Sequence, residues 1–348
     1  MKNYMTNSQK IYKFILQSIS TSSTLVKLPD HLNSDLIFQA ALKNNLFLAV
    51  AEKLNRESLP GNFGSKYYYH KKIAETSVML IDHFMEACNE NELPLLTIKS
   101  FLPFPFIDTN IDIVAVDLKN LSKYQKIIDQ LGYVRVRNLA DLREPDKAMY
   151  AKSKTKESTY ELCPKLHLHR RISWNGITYL NLGNVWQRHQ YRTILQHKIK
   201  IPVPSTEDEL LIIAAHALFE NKYITLCDLA HLNWIFNQDL DWEYADKAAK
   251  EYNWSPGFFK FISTALLLLK TMGFDFDIEP KLPSPIKTRF DYSPILLPPA
   301  KTLNITLNKM LNDLMNKEIK KIPWELFSYL FVETIWMYYK ALKKQVKF

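Results

Sequence analysis

The chain has 348 residues, 47% of them hydrophobic and 23% charged, the composition of a globular protein with one large domain or two smaller ones. Lysine and arginine outnumber aspartate and glutamate 45 to 36, so the formal net charge is +9 and an anionic partner is compatible with it. With seven glycines, and neither G-x-G-x-x-G nor G-x-x-x-x-G-K-[ST], the dinucleotide-binding and P-loop classes lose their sequence support. Cys88, Cys163 and Cys227 are scattered and odd in number, which gives no disulfide framework and no zinc knuckle and fits a reducing compartment. The N-terminus lacks the apolar core of a secretory signal and no run reaches the ~20 apolar residues of a membrane span, so the expectation is a cytoplasmic protein.

Along the chain, helical spacing comes first. Ile11, Phe14, Ile15 and Ile19 form one stripe, and Leu36, Ala40, Leu42, Leu46 and Val50 a second, separated by a stretch rich in cap and turn residues. A long helix is expected over 71–89. The pattern then shifts to short runs bounded by Pro and polar clusters, ELPLLTIK (92–99) and IDIVAVD (111–117), which read as neighbouring core strands. An amphipathic helix follows, carrying Leu121, Tyr124, Ile127, Ile128 and Leu131 on one face and stopping at Gly132. Further strands are expected over 158–169 and 177–182.

At 205 the helical signal returns, with Thr206 and Glu209 as the expected capping box of a long apolar run, and a second helix over TLCDLAHLNWIF. FISTALLLL (261–269) reads as a buried helix. The whole predicts an α+β, mostly helical fold: an N-terminal helical region (1–90), a small mixed-sheet α/β core (91–200), a helical domain (201–279), a Pro-rich linker (280–300) and C-terminal helices (301–348). The last of these is aromatic on one side and basic at its end, a surface for core packing, for a second subunit or for a membrane surface, with Glu325 and Glu333 inside the stretch favouring core packing.

Two polar residues interrupt the second strand. Asn110 and Asp112 are two apart, so both side chains point to one face while Ile111 and Ile113 point to the other. A buried Asp costs several kcal/mol without a partner, so Asp112 requires an exposed strand end, a salt bridge or a cation. Asn110 suits either a turn or the lining of a site. Carboxylates two apart on a strand are a way to hold Mg²⁺ against nucleotide phosphates. Lys99 closes the preceding strand, as a surface lysine or a phosphate contact. Alternation puts His167 and His169 on one face of their strand, but two imidazoles alone make an incomplete set for a transition metal. From Leu162 to Thr206 there is no Asp or Glu, while Arg170, Arg171, Arg188 and Arg192 are candidates for a phosphate-facing wall or for a solvated basic face.

The stretches LPLLTIKS (93–100), NIDIVAVDL (110–118), QLGYVRV (130–136), HLHRR (167–171), PVPSTEDELLIIAAH (202–216) and LCDLAHL (226–232), in that order, resemble the uncharacterised nucleotidyltransferases of the DNA polymerase beta-like superfamily, over roughly 35–240. The resemblance implies Asp112 as metal ligand with Asn110 beside it, phosphate contact by Lys99 with Ser100, His169 in the nucleotide site, and a His216–Asp228 pair in the helical domain. It also exposes departures: Asn110 stands for the first carboxylate, His167 for the third, and Ser100 for a glycine. Two functions follow as expectations. One is Mg²⁺-dependent transfer of a nucleoside monophosphate from a nucleoside triphosphate to an acceptor. The other is a catalytically inactive binding module on the same fold, using a basic cleft for nucleotide, RNA or a phosphorylated partner.

Overall fold

A computed structural model gives the fold; it describes residues 6–20, 26–54, 63–106, 110–136, 146–153, 163–174, 177–194, 199–278, 280–288, 292–293, 295–315 and 346–347. The architecture is α+β, a small mixed sheet with helical regions before and after it in the chain, as the sequence predicts. The chain divides into two compact units, Leu59–Glu209 and the combination of Met1–Ser58 with Leu210–Phe348.

The first unit holds the sheet. Its long helix, α4 (Phe63–Glu90), begins earlier than the 71–89 predicted, because Phe63 and Tyr67 are buried and anchor an extra two turns. It is preceded by α1 (Asn7–Ser20), α2 (Ser34–Lys43) and α3 (Phe47–Lys53), which belong to the second unit. The sheet runs in the order β1 (Leu95–Ile98), β2 (Asn110–Ala115), β5 (Lys165–His169), β4 (Lys147–Lys152), β3 (Tyr133–Arg135). β2 and β5 pair parallel; the other neighbours pair antiparallel.

Alternation along each strand sorts the side chains into two faces. Leu95, Ile111, Ile113, Ala115, Leu166, Leu168, Ala148, Tyr150 and Tyr133 share a core with Val78, Ile81, Phe84, Met85 and Cys88 of α4 and with Tyr124, Ile127 and Ile128 of α5 (Leu121–Gln130). The helical face of α4 is thus the 78, 81, 84, 85, 88 stripe, the spacing of an amphipathic helix. Helix α5 ends where Gly132 takes φ of +77°, a conformation that costs a side-chain-bearing residue more than glycine. The opposite face of the sheet carries Asn110, Asp112, His167 and His169.

After β5 come the hairpin of β6 (Ile172–Trp174) with β7 (Ile177–Leu180), α6 (Leu182–Gln187), and β8 (Gln190–Ile194) paired with β9 (Ile199–Val203). β4, β6, β8 and β9 lie outside the strands expected from the sequence, although Ile199, Ile201 and Val203 of β9 alternate with Lys200 and Pro202. Of the strand expected over 158–169, the part from Lys165 onward is β5; 154–162 lies outside the described residues.

Helix α7 (Thr206–Ala215) is capped one residue earlier than expected. Ser205 and Asp208 form the cap: the Asp208 N–H donates to Ser205 Oγ at 3.2 Å and the Ser205 hydroxyl donates to Asp208 Oδ2 at 3.0 Å. Glu209 is thereby left free of capping and takes another role, described below.

In the second unit, α1 packs on α2, α3 and α8 (Leu226–Ile235). The buried Asn44 joins two of these helices, accepting the Leu226 N–H at 3.0 Å and donating to the Ala40 carbonyl at 2.8 Å. The run 261–269 is buried inside α10 (Ser255–Thr271), which follows α9 (Trp242–Glu251). The Pro-rich region is not wholly irregular: Ile295–Leu296 pairs antiparallel with Tyr223–Ile224, and α11 (Pro299–Met315) begins within it. The terminal aromatic helix, 324–344, lies outside the described residues.

None of the three cysteines is in a disulfide, and Cys88 is sealed between α4 and the sheet, where burial pushes its thiol up to about 12. Cys88 is therefore expected to resist iodoacetamide at pH 8 in the folded protein and to react in denaturant, as peptide mass mapping would read; labelling of the native chain would mean that the α4 face is not packed as described.

Candidate functional site

The site grows out of the β2–β5 pairing. Register places Asp112 opposite His167, and His169 two residues on, opposite Val114. Side chains two apart share a face, so one carboxylate meets two imidazoles. His169 Nε2 lies 2.6 Å and His167 Nδ1 3.2 Å from the same oxygen, Asp112 Oδ1. All three residues are buried, Asp112 to 5% exposure.

The end of β1 completes the surroundings. Ile98 pairs with Asp112 across the antiparallel ladder, and the next two residues turn the chain. Lys99 sits at φ +60°, a left-handed conformation uncommon for a residue with a β-carbon and one that recurs at functional sites. Ser100 Oγ accepts the Asp112 backbone N–H at 2.8 Å and donates to the Ile98 carbonyl at 3.1 Å. A glycine could make neither bond, so the serine binds the turn to the first half of β2.

Electrostatics favour an ionised Asp112. Burial alone would raise its carboxyl, but the charge of Lys99 and the hydrogen bonds from His167 and His169 outweigh it and hold the group well below the ordinary carboxylate value. His169 moves down as well: burial disfavours the imidazolium, its bond to Asp112 works the other way, and Lys147 and Lys99 add repulsion. A neutral His169 beside an anionic Asp112 is the resulting state. The Nε2 atom of His167 is buried without a hydrogen-bond partner.

Asp112, His167 and His169 each offer a ligand atom within 4.8 Å of the others, so the three could hold a metal ion. Mg²⁺, the ion expected from the resemblance, does not fit this donor set, because it favours oxygen ligands and here two of three donors are imidazole nitrogens. Asn110 shares the strand face with Asp112 and pairs with Lys165.

The remaining candidates have local partners. Arg170 donates its backbone N–H to the Asp146 carbonyl at 2.7 Å, and the exposed Arg171 lies 3.9 Å from the Asp146 carboxylate. His216 lies at the start of a π-helical segment, His216–Asn221, within 3.2 Å of Glu220. Asp228 closes the cap of α8, accepting the Thr225 N–H at 2.8 Å. No hydrogen bond joins His216 to Asp228.

Two arginines of the acid-free segment are committed elsewhere. Arg192 makes a two-pronged bond to Glu209, at 2.9 and 2.8 Å, and also donates to the carbonyl of Phe101, the residue after Ser100. Arg188 pairs with Glu207 at 2.8 Å. Glu207 and Glu209 of the first turn of α7 thus pair with these two arginines, and Arg192 holds the turn that carries Lys99. The sequence signal for this was the Glu207-Asp208-Glu209 run directly after the acid-free stretch.

Residues 109–270 match the model of a family described as an uncharacterised nucleotidyltransferase. The match includes Asn110, Asp112, His167 and His169 and leaves β1, with Lys99 and Ser100, outside it. No curated protein and no solved structure matches the chain.

Removing Glu209 strands a nearly buried guanidinium, and Glu209→Ala is expected to lower the urea-unfolding free energy by about 3–5 kcal/mol. Replacing both partners with apolar residues, Arg192→Met with Glu209→Leu, should recover most of that loss. Arg171→Ala, at the exposed pair, should stay within about 0.5 kcal/mol of the wild type. A near-neutral Glu209→Ala would mean that the pair does not hold the turn.

Proposed function

We propose, from the match of residues 109–270 to the model of the uncharacterised nucleotidyltransferase family, that the chain binds a nucleoside triphosphate beside Asp112 and transfers the nucleoside monophosphate to an acceptor hydroxyl. The observation that carries the reading is the buried Asp112 carboxylate, at the strand position where the family resemblance puts a metal ligand, gathered with His167 and His169 and under the charge of Lys99. In that reaction the acceptor oxygen attacks the α-phosphorus, the bond to the bridging oxygen breaks, and pyrophosphate departs with the electron pair as the hydroxyl proton passes to water. The protein's part is positioning and charge.

Lys99 and Lys147 are the cations whose charge reaches the cluster, and they suit the phosphate oxygens. Arg170 and Arg171 leave the same strand end and extend the positive surface. A divalent ion at Asp112 would neutralise the phosphates and ease in-line attack.

A second reading has its own support. One carboxylate is a sparse ligand set for nucleotidyl transfer, and a binding module on this fold, holding a nucleotide, an RNA or a phosphorylated partner without turnover, would need no more. Pyrophosphate release during incubation with each nucleoside triphosphate and Mn²⁺ or Mg²⁺ separates the two. Transfer predicts release that Asp112→Ala lowers by ~10²-fold or more, and weaker nucleotide binding in Lys99→Ala. Nucleotide binding without release, unchanged by Asp112→Ala, selects the module. RNA as the ligand would show a steep fall of affinity with salt. Absence of any nucleotide binding overturns the transferase reading.

A further inference from the structure

The sheet face opposite α4 and α5 has a donor set that Mg²⁺ does not suit, and the mismatch itself says which cation does. One carboxylate oxygen and two imidazole nitrogens, all within 4.8 Å, form a mixed nitrogen–oxygen triad. That composition suits borderline ions of the Mn²⁺ to Zn²⁺ series, which accept imidazole readily and leave further positions open for water or substrate. From the two histidines alone the set was incomplete. Parallel pairing of β2 with β5 adds the carboxylate.

Hydrogen bonding inside the cluster is unbalanced. Both imidazoles converge on Asp112 Oδ1, so two N–H donors share one oxygen. With Nδ1 of His167 donating, its Nε2 keeps a lone pair that is buried and without a partner. A cation that takes the place of the shared protons would draw lone pairs from both rings and from the carboxylate.

We infer that Asp112, His167 and His169 bind one divalent transition-metal ion, of the Mn²⁺ to Zn²⁺ class, in preference to Mg²⁺. The inference rests on the proposed nucleotidyl transfer only in naming the cation that would meet the triphosphate; the binding site stands on its own geometry. Two imidazoles in place of carboxylates lower the site's negative charge, which weakens hard cations most. The same replacement favours ions that bond to nitrogen.

The full chain, stripped with chelator and dialysed, is titrated with Zn²⁺, Mn²⁺ and Mg²⁺ by calorimetry and with Co²⁺ by visible absorption. The expected result is one Zn²⁺ or Co²⁺ per chain, with Co²⁺ d–d bands of a nitrogen–oxygen site, and Mg²⁺ binding weaker by at least about 100-fold. His167→Gln and His169→Gln should each lose the Co²⁺ bands and bind Zn²⁺ more than about 100-fold more weakly, beyond what loss of an outer hydrogen-bond partner costs. Should either fail to fold, as circular dichroism would tell, His167→Asp keeps a ligand there and is expected to gain Mg²⁺ affinity while losing Zn²⁺ affinity. Equal affinity for Mg²⁺ and Zn²⁺, or Co²⁺ bands retained in both glutamine variants, overturns the inference. Metal binding as described without pyrophosphate release under any ion would end the transfer reading and leave the site; release with Mg²⁺ alone, and no transition-metal binding, would do the reverse.

Discussion

The parallel ladder between β2 and β5 governs this molecule. These strands are far apart in sequence, and α5, β3 and β4 fill the connection between them. Their register sets Asp112 beside His167, Ile111 beside Leu166 and Ile113 beside Leu168. A slip of one residue would send Asp112 into the apolar layer under α4 and α5 and turn Ile111 and Ile113 away from it. The hydrophobic face therefore specifies the polar one: the energy that packs Ile113 and Leu168 against the helices also fixes the spacing of the carboxylate and its imidazoles. Ser100 reinforces the same register from the other side, by tying the β1 turn to the Asp112 backbone.

Charge is distributed less simply than the acid-free segment suggests. Of the basic residues between 162 and 206, Arg188 and Arg192 are spent on Glu207 and Glu209, and the second pair also grips the Phe101 carbonyl. Guanidinium forks are well suited to such paired, nearly buried contacts. The positive character around Asp112 then comes from Lys99 and Lys147, one on the strained turn after β1 and the other at the start of β4. Arg192 is best understood as a brace for that turn, acting on the site through Phe101 and the residues before it.

What the sequence made legible follows from which constraints are local. Helical stripes, the stop at Gly132, the two first strands and the pairing of polar residues on one face of β2 are all written in period and spacing over a few residues. The alternation of His167 and His169 was visible too. Their meeting with Asp112 was not, because that contact belongs to strand pairing across some 55 residues, on which a single sequence is silent. The strands β4 and β8 lack a clear alternating pattern, and in β9 the alternation of Ile199, Ile201 and Val203 carries Pro202, a residue that argues against a strand interior. The cap of α7 was misplaced by one because Ser205 and Thr206, and Asp208 and Glu209, offer equivalent chemistry; what decides between them is that Arg192 claims Glu209.

Counting charge at the cluster explains why these departures from an all-carboxylate site hang together. A site built from several carboxylates accumulates negative charge, which must be balanced by hard cations before a triphosphate can approach. Here one carboxylate is already offset by Lys99 and by hydrogen bonds from two rings. The same economy means that a single divalent ion would more than neutralise the cluster, leaving it positive. Under the proposed function that positive charge would favour phosphate, and selectivity among cations would pass from charge to the identity of the donor atoms: nitrogen where oxygen would be expected.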